Sequence, residues 1–249
     1  MLKVKINKVV LTNNDADREV LRNINFSISN NMIYSVLGKN GSGKSTLIKS
    51  LTGLLNSDLY KVDGKVLWFD ENIFEMKKVR LLSLRKTEIK YVMQDLTWNF
   101  DPLKTIKYYF DYSGFKEKTI SLQLKSFLLP DYQIISNLHS YELSGGMAQR
   151  ISLLIAMLSN PKLLILDEPT SAIDYPNINL IKLKLLEFKK TGGSVLIVTQ
   201  DIDFAKEISD KIAFLNDNKL SEFIEIVDFF KDSDLSLHNT FLQSYKELQ

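Results

Sequence analysis

The stretch Met32-Ile-Tyr-Ser-Val-Leu-Gly38-Lys-Asn-Gly-Ser-Gly-Lys-Ser-Thr46-Leu-Ile-Lys-Ser-Leu51 decides the fold class. Met32–Leu37 is a dense apolar run that stops at a glycine, as a buried strand entering a loop does. Across Thr46–Leu55, Leu47, Ile48, Leu51, Leu54 and Leu55 recur at helical spacing. The intervening Gly38-x-x-x-x-Gly43-Lys44-Ser45 fits a phosphate-binding loop, and a strand before it with a helix after it is the context that gives the pattern meaning. Its glycines let the backbone fold tightly and aim N–H groups at phosphate oxygens. The helix that follows adds its positive N-terminal end. Gly38, Asn40, Gly41, Ser42, Gly43, Lys44, Ser45 and Thr46 are therefore the candidate nucleotide-binding residues. Lys44 is expected to reach the β- and γ-phosphates, and the Ser45 hydroxyl to ligate Mg²⁺.

Working outward, residues 1–37 read mostly as strands. Val4, Ile6, Ile24, Phe26 and Ile28 alternate with polar residues, and Asn13–Arg18 reads as a polar turn. Val66–Phe69 and Ile89–Met93 read as further strands. From about residue 95 to 160 the period becomes helical, clearest over Ile120–Leu129 and Ile151–Leu158, and this span is expected to be an inserted lobe. Beyond Pro161 the chain alternates: strand 163–167, helix 178–190, strand 194–199, helix 202–208, strand 211–215. Alternation of this kind implies a parallel sheet in an α/β core.

The run Leu163-Leu-Ile-Leu-Asp167-Glu168-Pro169 has the continuous apolar character of a strand buried on both faces. Two carboxylates at its end are costly to desolvate without a partner, and a Mg²⁺-bound nucleotide supplies one. Asp167 is the candidate metal ligand, and Glu168 the candidate general base for an attacking water.

The bulk numbers narrow the class. With 249 residues, 45% of them hydrophobic, the chain can bury a substantial core, as one large domain or a domain with an inserted lobe. The formal net charge of +2 gives no argument for nucleic acid as the main partner. With no cysteine, disulfides, thiolate zinc sites and iron–sulfur clusters are excluded. The N-terminus has no apolar signal region, and the apolar runs are far shorter than the roughly 20 residues that cross a bilayer. His139 and His238 lack metal-ligand spacing. The lysines at 182, 184, 189 and 190 are expected to form a solvated helix face.

Between the two motifs lies Leu143-Ser-Gly-Gly-Met-Ala-Gln-Arg150, which alone reads as a capped helix start at Ser144. In the order phosphate loop, this stretch, acidic strand, the chain resembles the nucleotide-binding subunit of ATP-binding cassette (ABC) transporters over about residues 2 to 230. The resemblance implies a single cassette domain, 1–249. Residues 1–94 and 161–249 would be a P-loop core with mostly parallel sheet and an antiparallel β part, and 95–160 a helical lobe. It implies that Ser144, Gly145 and Gly146 act on ATP held by a second subunit. It implies that Gln94 contacts Mg²⁺ and the attacking water, and that Ser171-Ala-Ile-Asp174 crosses the dimer interface. Two transmembrane permease subunits and, indirectly, an extracytoplasmic substrate-binding protein follow as partners, at the cytoplasmic face of the membrane.

Two departures from the family stand out. Gln200 occupies the position of a histidine that holds the γ-phosphate and supports the catalytic glutamate; glutamine can hydrogen-bond but not carry positive charge. Gln200 either substitutes adequately or marks a slow site, and the second reading implies a heterodimer. Where the family often stacks adenine on a tyrosine, this chain has about Val10 or Leu11, which leaves an aliphatic surface for the base. The segment Tyr91–Ile106 resembles importers of dipeptides, oligopeptides, nickel and metal–opine chelates, and Met147 leans the same way. Trp98, Phe100, Tyr108, Tyr109 and Phe110 read as lobe core or as a groove for a membrane subunit. A regulatory subunit with negligible hydrolysis, and a soluble ABC ATPase outside transport, are the alternatives.

Overall fold

The computed structural model describes residues 1–12, 16–94, 100–171 and 173–229. In chain order its elements are β1 (Leu2–Leu11), β2 (Arg18–Ile28), β3 (Ile33–Leu37), α1 (Lys44–Leu51), β4 (Tyr60–Trp68), β5 (Glu71–Asn72), α2 (Lys78–Thr87), β6 (Ile89–Val92), α3 (Ile106–Ser113), α4 (Glu117–Ser126), α5 (Tyr132–Ile135), α6 (Gly145–Leu158), β7 (Leu163–Asp167), α7 (Tyr175–Lys190), β8 (Ser194–Thr199), α8 (Ile202–Ile208), β9 (Lys211–Asn216), β10 (Lys219–Leu220), β11 (Ile224–Glu225) and α9 (Ile226–Phe229).

Two sheets result. The antiparallel one runs β2-β1-β4-β5, and the mostly parallel one runs β10-β9-β3-β8-β7-β6, with β11 also antiparallel to β9. Every residue of β3, β7 and β8 is buried, which explains why these strands are apolar throughout rather than alternating. Their side chains still alternate between two cores. Leu163, Ile165, Leu196 and Val198 pack with α1 and the antiparallel sheet, while Leu164, Leu166, Val195 and Ile197 pack with α3 to α7. The parallel sheet is thus covered on both faces. Register aligns Leu37 with Thr199 and Asp167 with Val198, so the loop after β3 and the acids of β7 meet at the carboxyl ends of adjacent strands. Ligands of open α/β sheets bind at such ends.

The strands at 163–167 and 194–199 and the helix at 202–208 lie where the periodicity places them. Other expectations need correction. Helix α1 stops at Leu51 rather than Leu55, because Gly53 turns left-handed (φ 62°) and Leu54 N–H bonds back to the Lys49 carbonyl. Helix α4 ends at Ser126, two residues before Leu128 adopts φ 51°. Helix α2 carries no apolar stripe, with Leu84 its one buried residue, so periodicity could not reveal it. It is anchored by Leu84, with Leu81 packed beside it, while Arg80 pairs with Glu71 and Glu88 and Arg85 donates to the Thr52 and Gly53 carbonyls.

The lysine face of α7 is solvated only in part: Lys190 is exposed and Lys189 half-buried, but Lys182 and Lys184 are not solvated as expected. Lys182 and Lys184 are each only 9% exposed, and Lys182 lies over the Phe204 and Tyr175 rings while pairing with Glu207. Lys184 lies over Phe127 and pairs with Glu187. Their alkyl stems cover apolar surface while the ammonium groups find carboxylates at the rim. In the lobe, Phe100 and Phe110 are core, whereas Tyr108 is exposed. Trp98, His238 and the turn at 13–15 lie outside the described residues.

Candidate active site

A cleft of about 310 Å³ opens where the two sheets meet the phosphate loop. Leu11, Arg18, Val20 and Tyr60 line it from the antiparallel sheet; Asn40, Gly41, Gly43, Lys44, Ser45 and Thr46 from the loop and α1; and Gln94, Asp167 and Glu168 from the strand ends. A larger groove of about 670 Å³, on Lys3, Lys5, Lys65, Lys211 and Phe223, contains none of the motif residues. Gly43, the residue before α1, has φ 102°, and a Cβ there would lie 3.2 Å from the Val20 carbonyl oxygen. Glycine is thus required to set strand β2 against the loop. Gly38 and Ser42 sit within the loop but do not line the cleft, and a Cβ on Gly38 would approach the Ser42 hydroxyl to 2.6 Å.

Asp167 is 4% exposed. Its Oδ2 accepts from the Ser45 hydroxyl and the Tyr91 hydroxyl, both at 3.0 Å. Its Oδ1 is buried with no hydrogen-bond partner among the described residues. Burial pushes the Asp167 carboxyl above its ordinary range, although the Ser45 and Tyr91 hydroxyls pull it back. Burial and the Asp167 charge push Tyr91 up, so the phenol keeps its proton and donates. An orphaned carboxylate oxygen beside a serine hydroxyl at a phosphate loop fits a hard divalent cation such as Mg²⁺.

Glu168 begins the turn after β7 with φ 48°, an uncommon conformation for a non-glycine residue. Its N–H bonds the Val198 carbonyl at 2.9 Å. Oε2 accepts from the Thr199 hydroxyl at 2.8 Å and from Gln200 N–H at 3.1 Å. Oε1 lies 3.0 Å from Lys44 Nζ, and both side chains are 6% exposed. Lys44 also donates to the Gly38 and Lys39 carbonyls at 2.8 and 3.1 Å. Lys44 therefore neutralises Glu168 while capping the loop.

Of the remaining sequence candidates, Gln94 lines the cleft with an exposed side chain. The Gln200 side chain is exposed, and only its backbone meets Glu168. Ser144 caps α6 by accepting from Met147 N–H at 3.2 Å, and Ser144 and Gly145 are exposed. Neither they nor Gly146 lines the cleft of their own chain. Arg150 fixes this helix start by donating to the Gly146, Phe127 and Leu128 carbonyls. Ala172, in the segment expected at a dimer interface, lies outside the described residues.

Sequence reading missed Tyr91 and Thr199, which look like ordinary strand residues until register sets them beside the acids. It also missed Tyr60. The expectation of a purely aliphatic surface near Leu11 is corrected: Tyr60 of β4 lies directly opposite Leu11 and lines the same cleft.

A glycine-rich loop between β3 and α1, with buried acids at the end of a neighbouring parallel strand, defines a P-loop α/β protein with an added antiparallel sheet and helical lobe. The family profile described as ABC transporter matches residues 21–171, and the chain belongs to that family. It is 34% identical over 218 residues to the phosphate import ATP-binding protein PstB of Saccharolobus solfataricus, covering 83% of this chain and 82% of the relative. It is 33% identical over 222 residues to the dipeptide transport ATP-binding protein DppD of Caldanaerobacter subterraneus, covering 84% and 67%. The metal-staphylopine import system ATP-binding protein CntD of Staphylococcus aureus is 28% identical over 232 residues, covering 89% and 85%. Among solved structures, the dimeric ATP-binding cassette MJ0796 bound to ADP and Pi superposes with a TM-score of 0.76 at 26% identity, covering 91% of this chain and 99% of that one. The fold is that of ABC ATPase cassettes. No helix among the described residues is long and apolar enough to cross a membrane.

Proposed function

We propose that this chain is the ATP-hydrolysing subunit of an ABC importer, working as one of two cassettes at the cytoplasmic face of a membrane with two permease subunits and, indirectly, an extracytoplasmic substrate-binding protein. The observation that carries the reading is the convergence, in one cleft, of Lys44, Ser45, the orphaned Asp167 oxygen and Glu168. Loop N–H groups and Lys44 would hold the phosphates. Ser45, Asp167 and Gln94 would hold Mg²⁺, whose charge offsets that developing on the γ-phosphate.

The proposed chemistry follows from the ion pair. Lys44 attracted to phosphate oxygens leaves Glu168, which is then free to accept a proton. Water oxygen bonds the γ-phosphorus, the bond to the β–γ bridging oxygen breaks, and ADP and phosphate form. Thr199 and the Gln200 N–H hold the Glu168 carboxylate in position through Oε2. Ser144, Gly145 and Gly146 would meet the nucleotide of the second cassette, consistent with the exposure of Ser144 and Gly145 and the absence of all three from the chain's own cleft.

The finer reading is uptake of a peptide, nickel or a metal chelate, supported by the Tyr91–Ile106 segment. Relatives named for phosphate and methionine import match as well, so the importer role rests on more than the substrate. Gln200 supports a heterodimer in which a related chain carries histidine, or a regulatory subunit with little hydrolysis. ATPase assays on the complex purified with its membrane subunits, with each cassette's loop lysine substituted in turn, test this. Unequal losses, with a gain from Gln200→His, are expected; equal losses with Gln200→His inert remove the asymmetry. Stimulation by a peptide or metal chelate, and not by phosphate or methionine, is the expected substrate result.

A further inference from the structure

Three adjacent strands present one residue each in a single lateral row: Arg18 of β2 pairs with Leu11 of β1, and Leu11 pairs with Tyr60 of β4. Directly opposed residues of antiparallel strands project to the same face. All three line the cleft that contains Lys44 and Ser45. Strands lie about 4.7–4.9 Å apart, so the row spans roughly 10 Å. Val20 ties this shelf to the loop, since its carbonyl oxygen would lie 3.2 Å from a Cβ on Gly43.

Resting on the nucleotide reading above, we propose that Tyr60 is the stacking platform for the nucleobase, supplied from β4 rather than from the β1 position that Leu11 fills. A phenol ring offers a flat apolar face with a polar tip, and every base has a π-face to lay against it. The Arg18 guanidinium at the other end of the row offers a second planar group for the same ring system. Leu11 between them gives apolar contact without a donor or acceptor. The shelf therefore binds by stacking. The turn Thr12 makes with Leu59, through its N–H at 2.8 Å and its hydroxyl at 3.0 Å, fixes the start of β4 and with it Tyr60.

Calorimetric titration of the full chain with ATP and with inorganic tripolyphosphate separates base from phosphate. Tyr60→Leu is expected to weaken ATP binding about 5- to 100-fold and to leave tripolyphosphate unchanged, the range that loss of one base–aromatic stack produces. Tyr60→Phe, which keeps the ring, is expected to stay within about twofold of wild type. Tyr60→Trp is expected to gain fluorescence that ATP quenches and tripolyphosphate does not, relative to the wild-type chain. Unchanged ATP affinity in Tyr60→Leu overturns the proposal. If that variant loses its fold, absence of the ATP-specific quench in Tyr60→Trp overturns it. Failure of the underlying nucleotide reading looks different: the wild-type chain binds neither ligand, and Lys44→Ala changes nothing.

Discussion

Two helix starts in this molecule carry glycines and a serine, and they differ in what surrounds them. The start of α1 faces buried carboxylates, and its lysine is already paired within the chain. The start of α6 is capped by Ser144, pinned from behind by Arg150, and open in front. Both offer N–H groups and a positive helix end to an anion. The difference teaches that sequence likeness between helix starts says nothing about where the anion comes from. On the proposed reading, the first has metal-holding and proton-accepting groups supplied by adjacent strands, and the second meets its ligand only when another subunit closes on it.

The largest expected effect tests the first site. Glu168→Gln is expected to cut single-turnover hydrolysis by about 10²- to 10⁴-fold, the usual weight of a general base, while ATP binding measured by calorimetry is kept. Retained turnover would remove Glu168 from the chemistry and erase the contrast between the two helix starts. The second helix start is probed by Ser144→Ala. It is expected to leave ATP affinity of the isolated chain unchanged and to reduce turnover of the assembled complex, with a loss of roughly 1 kcal/mol in stability from the cap. Weaker ATP binding by the isolated chain would mean that the two helix starts serve one site.

Thr199→Val sharpens the first site from within. It removes one of two donors to Glu168 Oε2, and a lost hydrogen bond to a charged group is worth about 1.5–3 kcal/mol. Turnover is expected to fall without a matching fall in ATP affinity, and Thr199→Ser is expected to restore it.

The smallest effect lies far from both helix starts and serves as a control. Burial alone would raise the Glu88 carboxyl, but hydrogen bonds from Arg80 and Trp68 outweigh it and hold the group below its ordinary value of 4.5. A lowered carboxyl stabilises the fold above that ordinary value, and the contribution is lost as pH falls through the lowered folded-state value. Urea midpoints of Glu88→Gln and wild type are expected to differ by a small margin near neutrality and to converge in acid. ATP binding is expected to be the same in both.

Much of the fold was legible because its signals are local. An apolar run ending in glycine, a helical period after it and an acid pair after a strand each fit within a few turns of chain. Helix α2 was not legible, since it buries only Leu84, too little for a helical apolar period, and its Arg80 contacts are ion pairs with residues outside the helix. The burial of Lys182 and Lys184 was misread, because charge suggests solvent while their stems lie over the rings of Phe127, just after α4, Tyr175 of α7 and Phe204 of α8.

By itself the sequence determined the alternation of strands and helices, the phosphate loop, the buried acids and the capped start of α6. Glycine spacing, apolar period and capping chemistry act between near neighbours, and so they can be read in one dimension. Only the tertiary structure decided that Thr199 and Tyr91 hold the two acids, that Lys44 pairs with Glu168, and that Tyr60 lies opposite Leu11. Those relations are set by strand register and by the order of strands in each sheet. Register joins residues distant in sequence, and no local pattern encodes which residue will stand across from which.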